Sequence, residues 1–217
     1  MSEKNTAQVI TSFLPQYTKD KVFILSLVVA MAGGLWLSLQ SSGYLLSYDV
    51  NTLMIMCVIF TLTSSNFISR AKPFNDQLSY SALAVVPIAL RYVFNLPFFS
   101  SYASIGDVTT QITYTLQVCA LWMLVAVAEE SFRATMMNVF DSLYVFKGKK
   151  KTNTALKVIF CVVLWILFHF IQRPFDIFTY RYYIIWLFIS GIVMTYTMLK
   201  GGLGSSVLIH FIVNLTA

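Results

Sequence analysis

Apolar runs separated by short polar segments recur along the whole of this 217-residue chain. They fall near residues 22–39, 50–68, 79–98, 111–131, 155–172, 182–199 and 203–216, and the fourth can continue helically to 146. A helix rises ~1.5 Å per residue, so ~20 apolar residues cross a ~30 Å hydrocarbon layer. The pattern therefore predicts an all-α, polytopic transmembrane helix bundle of about seven spans, with six and eight as the adjacent counts. Pro87, inside the third run, predicts a kink there because it removes a backbone donor. The aromatic cluster from Phe178 to Trp186 reads as an interfacial belt. No internal repeat or low-complexity segment divides the chain, which reads as one integral membrane domain over 1–217.

Composition excludes the main alternative. With 58% hydrophobic, 16% aromatic and 11% charged residues and a mean hydropathy of +0.73, a soluble domain of this length could not hide its apolar surface. The first run follows about twenty mostly polar residues, lacks an Ala-x-Ala-like site and is long enough to span, so no cleaved signal peptide is expected. Cys57, Cys119 and Cys161 lie within apolar runs without Cys-x-x-Cys spacing and read as small buried hydrophobes.

The net charge of +6 does not point to nucleic acid, because the cations gather between the apolar runs. Lys4, Lys19 and Lys21 precede the first run. Arg70 and Lys72 follow the second, Lys147, Lys149, Lys150, Lys151 and Lys157 the fourth, and Lys200 the sixth. Segments 40–49 and 99–110 hold no Lys or Arg, so alternate loops are basic and a cytoplasmic N-terminus is expected. Arg173 and Arg181, flanking Asp176, are the exception. The expected location is a prokaryotic plasma membrane.

Against that background, a few ionisable residues stand out. Glu129 and Glu130 close the run Leu116 to Ala128, and with Glu3 they are the chain's only glutamates. Its only histidines, His169 and His210, lie in the runs 161–170 and 207–213. A charge at the bilayer centre costs at least ~2.5 kcal/mol, so such groups face the interior, pair, and mark functional sites. On a helical rise His169 lies ~18 Å above Lys157, His210 ~15 Å above Lys200 and Glu130 ~26 Å above Lys147, so the groups can meet within the membrane. Arg91, inside the third run, either snorkels or pairs with a buried carboxylate.

Residues four apart share a helical face. This pairs Glu129 with Arg133 and leaves Glu130 as the freer carboxylate. Two carboxylates in a low dielectric resist joint ionisation, which suits proton transfer, and a carboxylate beside the imidazole of His169 can activate water. His210 and Asn214 also share a face and can both donate toward one point, as an oxyanion site requires. The structural alternatives are a buried ion pair that only orients helices and a polar clasp between helices.

In order, these residues resemble three motifs of the CAAX protease and bacteriocin-processing (CPBP, or Abi) family of intramembrane proteases. They are Glu129-Glu130-Ser131-Phe132-Arg133, Trp165-Ile166-Leu167-Phe168-His169 and His210-Phe211-Ile212-Val213-Asn214, and the resemblance covers about 112–217. It implies a glutamic-type endopeptidase in a helix bundle, acting on membrane-associated or lipid-modified proteins or peptides. In it a first-motif glutamate and His169 activate water, and His210 and Asn214 hold the oxyanion. No cofactor is implied.

Two positions depart from the family. Its pattern is Glu-Glu-x-x-x-Arg, whereas only two residues separate Glu130 from Arg133, so Glu129 is either the first, catalytic glutamate or the second, arginine-paired one. In the latter case Ala128 occupies the base position and Glu130 must substitute. Trp165 stands where phenylalanine is usual. The alternative readings are a zinc protease using a glutamate and both histidines, a transporter, and a non-catalytic scaffold or bacteriocin-immunity protein. The sequence leaves substrate and oligomeric state open.

Overall fold

A computed structural model describes residues 20–40, 44–45, 48–64, 71–96, 108–143, 150–172 and 181–216. Glu3, Lys4, Lys19, Arg70, Lys147, Lys149, Arg173, Asp176, Phe178 and most of 99–110 lie outside the described residues. The described chain is a bundle of helices: α1 (Lys21–Gln40), α2 (Val50–Thr63), α3 (Phe74–Ser81), α4 (Val85–Val93), α5 (Val108–Ser142), α6 (Lys150–Gln172), α7 (Arg181–Gly201) and α8 (Leu203–Leu215). Between α1 and α2 a two-residue antiparallel ladder pairs β1 (Tyr44–Leu45) with β2 (Tyr48–Asp49).

Among the described residues, three segments are long and apolar enough to cross a membrane: Lys21–Gln40, Ile112–Ser142 and Arg181–Gly201. Val50–Thr63, Thr154–His169 and Leu203–Leu215 are shorter apolar helices. Within the expected second span, α2 ends at Thr63, where the Ser64 backbone N–H and hydroxyl both donate to the Thr61 carbonyl; 65–68 lie outside the described residues. The expected third span begins earlier, at Phe74, with a polar stretch that an apolar pattern does not register. It is interrupted by a 3-10 turn at Ala82–Ala84. Pro87 offers no N–H to Leu83, four residues back, so the interruption lies where its ring disfavours a regular helix.

α5 continues as one helix through the polar residues that follow its apolar run, and it is the centre of the bundle. Every residue from Leu121 to Ser131 is buried, as expected for a helix surrounded on all sides. α1, α2, α6 and α8 pack around it. Close approach needs small residues: a Cβ on Gly33 would lie 2.8 Å from Ala120 Cβ, and one on Gly34 2.8 Å from Met54 Sδ. The outer faces are apolar, with Leu25, Leu35, Leu39, Ile55, Leu62, Val85 and Leu167 exposed, while Glu129, Glu130, Arg133 and His210 are buried. Polar inside and apolar outside is the arrangement of an integral membrane protein. Cys57 and Cys161 are buried, Cys119 half-buried, and all three are free thiols. Arg91 is buried with its guanidinium 5.3 Å from the Trp186 ring centroid, a cation–π contact.

One end of the bundle is tied by a carboxylate that the sequence reading overlooked. Asp20, fully buried, accepts from Phe23 N–H at the start of α1 and from Gly204 N–H at the start of α8, both at 2.9 Å. It thereby satisfies orphan donors of two helices at once. Gly204 has no room for a side chain, since a Cβ would lie 2.5 Å from Asp20 Oδ1 and 2.6 Å from Phe23 N. Gly202, at φ 110, makes the sharp entry into α8.

Burial pushes the Asp20 carboxyl above its ordinary 3.8, against the hydrogen bonds from Gly204 and Phe23 that pull it down. A carboxyl raised on folding contributes stability that is full below the unfolded value and lost as pH rises through the folded one. The stability of the wild type relative to Asp20→Asn should therefore increase on acidification from about pH 7 to about pH 4. Melting midpoints of both proteins in detergent across that range check the sign, and an advantage that shrinks in acid contradicts it.

Candidate active site

Three helices carry the polar residues of the site. α5 carries Glu129, Glu130 and Arg133, α6 carries Trp165 and His169, and α8 carries Ser206, His210 and Asn214. α7 backs them: Ser206 Oγ lies 3.0 Å from the Met194 carbonyl. Gly191 lets α7 sit close, because a Cβ there would lie 2.9 Å from Val162 Cγ1 and 3.4 Å from Arg133 Nη1.

The two glutamates point into different surroundings. Glu130, 0% exposed, takes Arg133 Nε–H on Oε2 at 3.1 Å and Nη2–H on Oε1 at 3.0 Å. His210 Nδ1–H donates to its Oε1 at 2.7 Å, and Ser206 Oγ–H to its Oε2. Four donors use the four lone-pair positions of a carboxylate. Among the described residues Glu129 makes one hydrogen bond, accepting from Trp165 Nε1–H on Oε2 at 2.7 Å. The same oxygen lies 3.7 Å from Nε2 of His169 and 3.7 Å from Nε2 of His210.

The expected pairing of Glu129 with Arg133 is thus corrected. Arg133 pairs with Glu130, three residues back, and Glu129 is the freer carboxylate. Spacings of three and four both bring side chains together on a helix. The choice falls to the neighbours, since α8 brings donors to Glu130 while α6 brings an indole N–H to Glu129.

Hydrogen bonds also assign the imidazole protons. His169 Nδ1 lies 2.9 Å from the Trp165 carbonyl, which can only accept, so Nδ1 carries hydrogen. His210 Nδ1 faces the arginine-paired carboxylate of Glu130 and carries hydrogen for the same reason. In the neutral rings both Nε2 atoms then present lone pairs toward Glu129. Asn214, one turn beyond His210, has a buried Nδ2 with no hydrogen-bond partner among the described residues. Among the described residues, no group of three His, Cys, Asp or Glu side chains is arranged to hold a metal ion.

Of the residues singled out in the sequence, Glu129, Glu130, Arg133, His169 and His210 come together here, Asn214 lies one turn beyond His210 on α8, and Arg91 lies on α4 beside Trp186. Ser206 and the indole N–H of Trp165 were missed. Ser206 had a signal, lying four residues before His210 on the same helical face. Trp165 was noted only as an aromatic, and the role of its N–H depends on a partner from another helix.

The family model described as Rce1-like, type II CAAX prenyl endopeptidase Rce1-like, matches residues 111–216. Comparison with curated proteins and with solved structures gave no match. The matched segment contains α6, α7, α8 and nearly all of α5, and so every residue of the buried cluster. Residues 111–216 of this helical membrane protein therefore match the Rce1-like CAAX endopeptidase family.

Proposed function

We propose that the chain is an intramembrane glutamic endopeptidase in which Glu129 is the general base. The observation that carries this reading is the inequality of the two glutamates. Glu130 is saturated by four donors, whereas Glu129 accepts a single hydrogen bond and faces two imidazole lone pairs. A base must be reachable by the proton it takes, and a carboxylate with every lone pair occupied is not. In this mechanism a water beside Glu129 and His169 Nε2 gives its proton to Glu129 and attacks the peptide carbonyl.

The developing oxyanion needs donors fixed in advance. Asn214 Nδ2 offers one, already desolvated and without a partner to give up. His210 offers a second when the proton taken by Glu129 passes to its Nε2, 3.7 Å away, since its Nδ1–H is held by Glu130. That proton returns through Glu129 to the amine as the C–N bond breaks and the carbonyl re-forms. No metal is needed in these steps, and burial of the site among helices favours substrates presented from the bilayer, namely membrane-associated or lipid-modified proteins or peptides. We retain the cytoplasmic N-terminus that the Lys/Arg distribution suggests. A reporter fused after Ala217 and found on the same side as one fused after Lys151 would contradict it.

The test is cleavage of a membrane-anchored peptide by purified protein in the presence of chelator. Wild type should be active, and Asn214→Ala should lose about 10²-fold in kcat, the effect of removing one oxyanion donor. Activity that requires added zinc, or an unimpaired Asn214→Ala variant, would refute the scheme.

A further inference from the structure

Trp165 touches more of the site than any residue assigned a chemical step. Its indole N–H donates to Glu129 Oε2 at 2.7 Å. The Arg133 guanidinium carbon lies 4.4 Å from its ring centroid. The same ring meets the imidazoles of His169 and His210 edge-on, with centroids 4.4 Å and 6.1 Å apart. Its backbone carbonyl takes the Nδ1–H that fixes the proton position of His169. The side chain is itself buried, so these contacts are made without competition from water.

Glu129 has another place to go. Arg133 is four residues along the same helix, the spacing at which a carboxylate and a guanidinium ordinarily pair. Turning there would remove the carboxylate from the imidazoles. Trp165 opposes that turn in two ways, because its N–H claims Oε2 while its π face occupies one side of the Arg133 guanidinium. Glu129 Oε1 accepts no hydrogen bond from the described residues and is left for water.

We propose that Trp165 is the positioning residue of this site, its indole N–H holding one oxygen of Glu129 beside the two histidines so that the other can act as the base. The role rests on the endopeptidase reading above. It belongs to the N–H rather than to aromatic bulk, and phenylalanine, which keeps the ring face and lacks the donor, cannot fill it.

The experiment compares full-length wild type, Trp165→Phe and Glu129→Gln in peptide cleavage, with the indole region of the ¹⁵N–¹H spectrum recorded alongside. Trp165→Phe should lower kcat about 10- to 100-fold, the range of a charge-assisted hydrogen bond, with KM within about twofold. The Trp165 indole resonance, identified by its loss in that variant, should move on Glu129→Ala, while those of Trp36, Trp122 and Trp186 stay in place. Full activity of Trp165→Phe beside an inactive Glu129→Gln overturns this proposal and leaves the endopeptidase reading standing. Full activity of Glu129→Gln overturns both. Should Trp165→Phe fail to fold, the spectrum decides: the four indole signals of the wild type compared with Glu129→Ala must show one displaced, and four unmoved signals overturn the proposal.

Discussion

Glu129→Gln should reduce kcat by about 10²–10⁴-fold and leave the protein folded. The amide keeps the size of the side chain, and its carbonyl oxygen still accepts the Trp165 N–H, the one hydrogen bond Glu129 makes among the described residues. What disappears is the capacity to take a proton from water. Thiol labelling gives a direct control for folding, because Cys57 and Cys161 are buried and react when the bundle opens. An inactive variant whose buried thiols stay protected confirms loss of chemistry, and wild-type turnover by Glu129→Gln would falsify the glutamic mechanism.

Glu130→Gln should fail differently. Arg133 is 0% exposed and has Glu130 as its carboxylate partner through two hydrogen bonds, so the substitution leaves a buried guanidinium uncompensated. The amide nitrogen also turns hydrogen atoms toward donors, either His210 Nδ1 with Arg133 Nη2 or Arg133 Nε with Ser206. A buried pair broken on one side typically costs ~3–5 kcal/mol. Melting in detergent, followed by the same thiols, should show this loss. The double variant Glu130→Gln/Arg133→Met should recover much of it, since removing both charges is far less costly than stranding one. Equal stability of Glu130→Gln and Glu129→Gln would mean that the ion pair does not hold this part of the bundle together.

These contrasting expectations come from a difference of one position on a helix, and that difference was beyond the reach of sequence reading. Glu129 and Glu130 project ~100° apart, and Arg133 lies at an acceptable spacing from both. The helix alone offered Glu129–Arg133 as readily as Glu130–Arg133. What separates them is the surroundings: Ser206 and His210 of α8 surround one carboxylate and Trp165 of α6 meets the other. Asp20 is similar. An Asp directly before an apolar run signals a helix N-cap, and Phe23 bears that out. The second cap, on Gly204, joins positions 184 residues apart and left no local trace.

The sequence by itself determined that the chain is a helical membrane bundle, because apolar runs of this length in a chain with so few charges have no other way to satisfy their backbone. It also determined that two histidines, two glutamates and an arginine inside apolar runs turn away from lipid, where they are too costly to expose. The tertiary structure decided the division of labour among them. Which oxygen is saturated, which imidazole nitrogen is bare and which donor lacks a partner depend on angstrom-scale contacts between helices far apart in sequence. Helical periodicity fixes a residue's face, but not what the neighbouring helix brings to it.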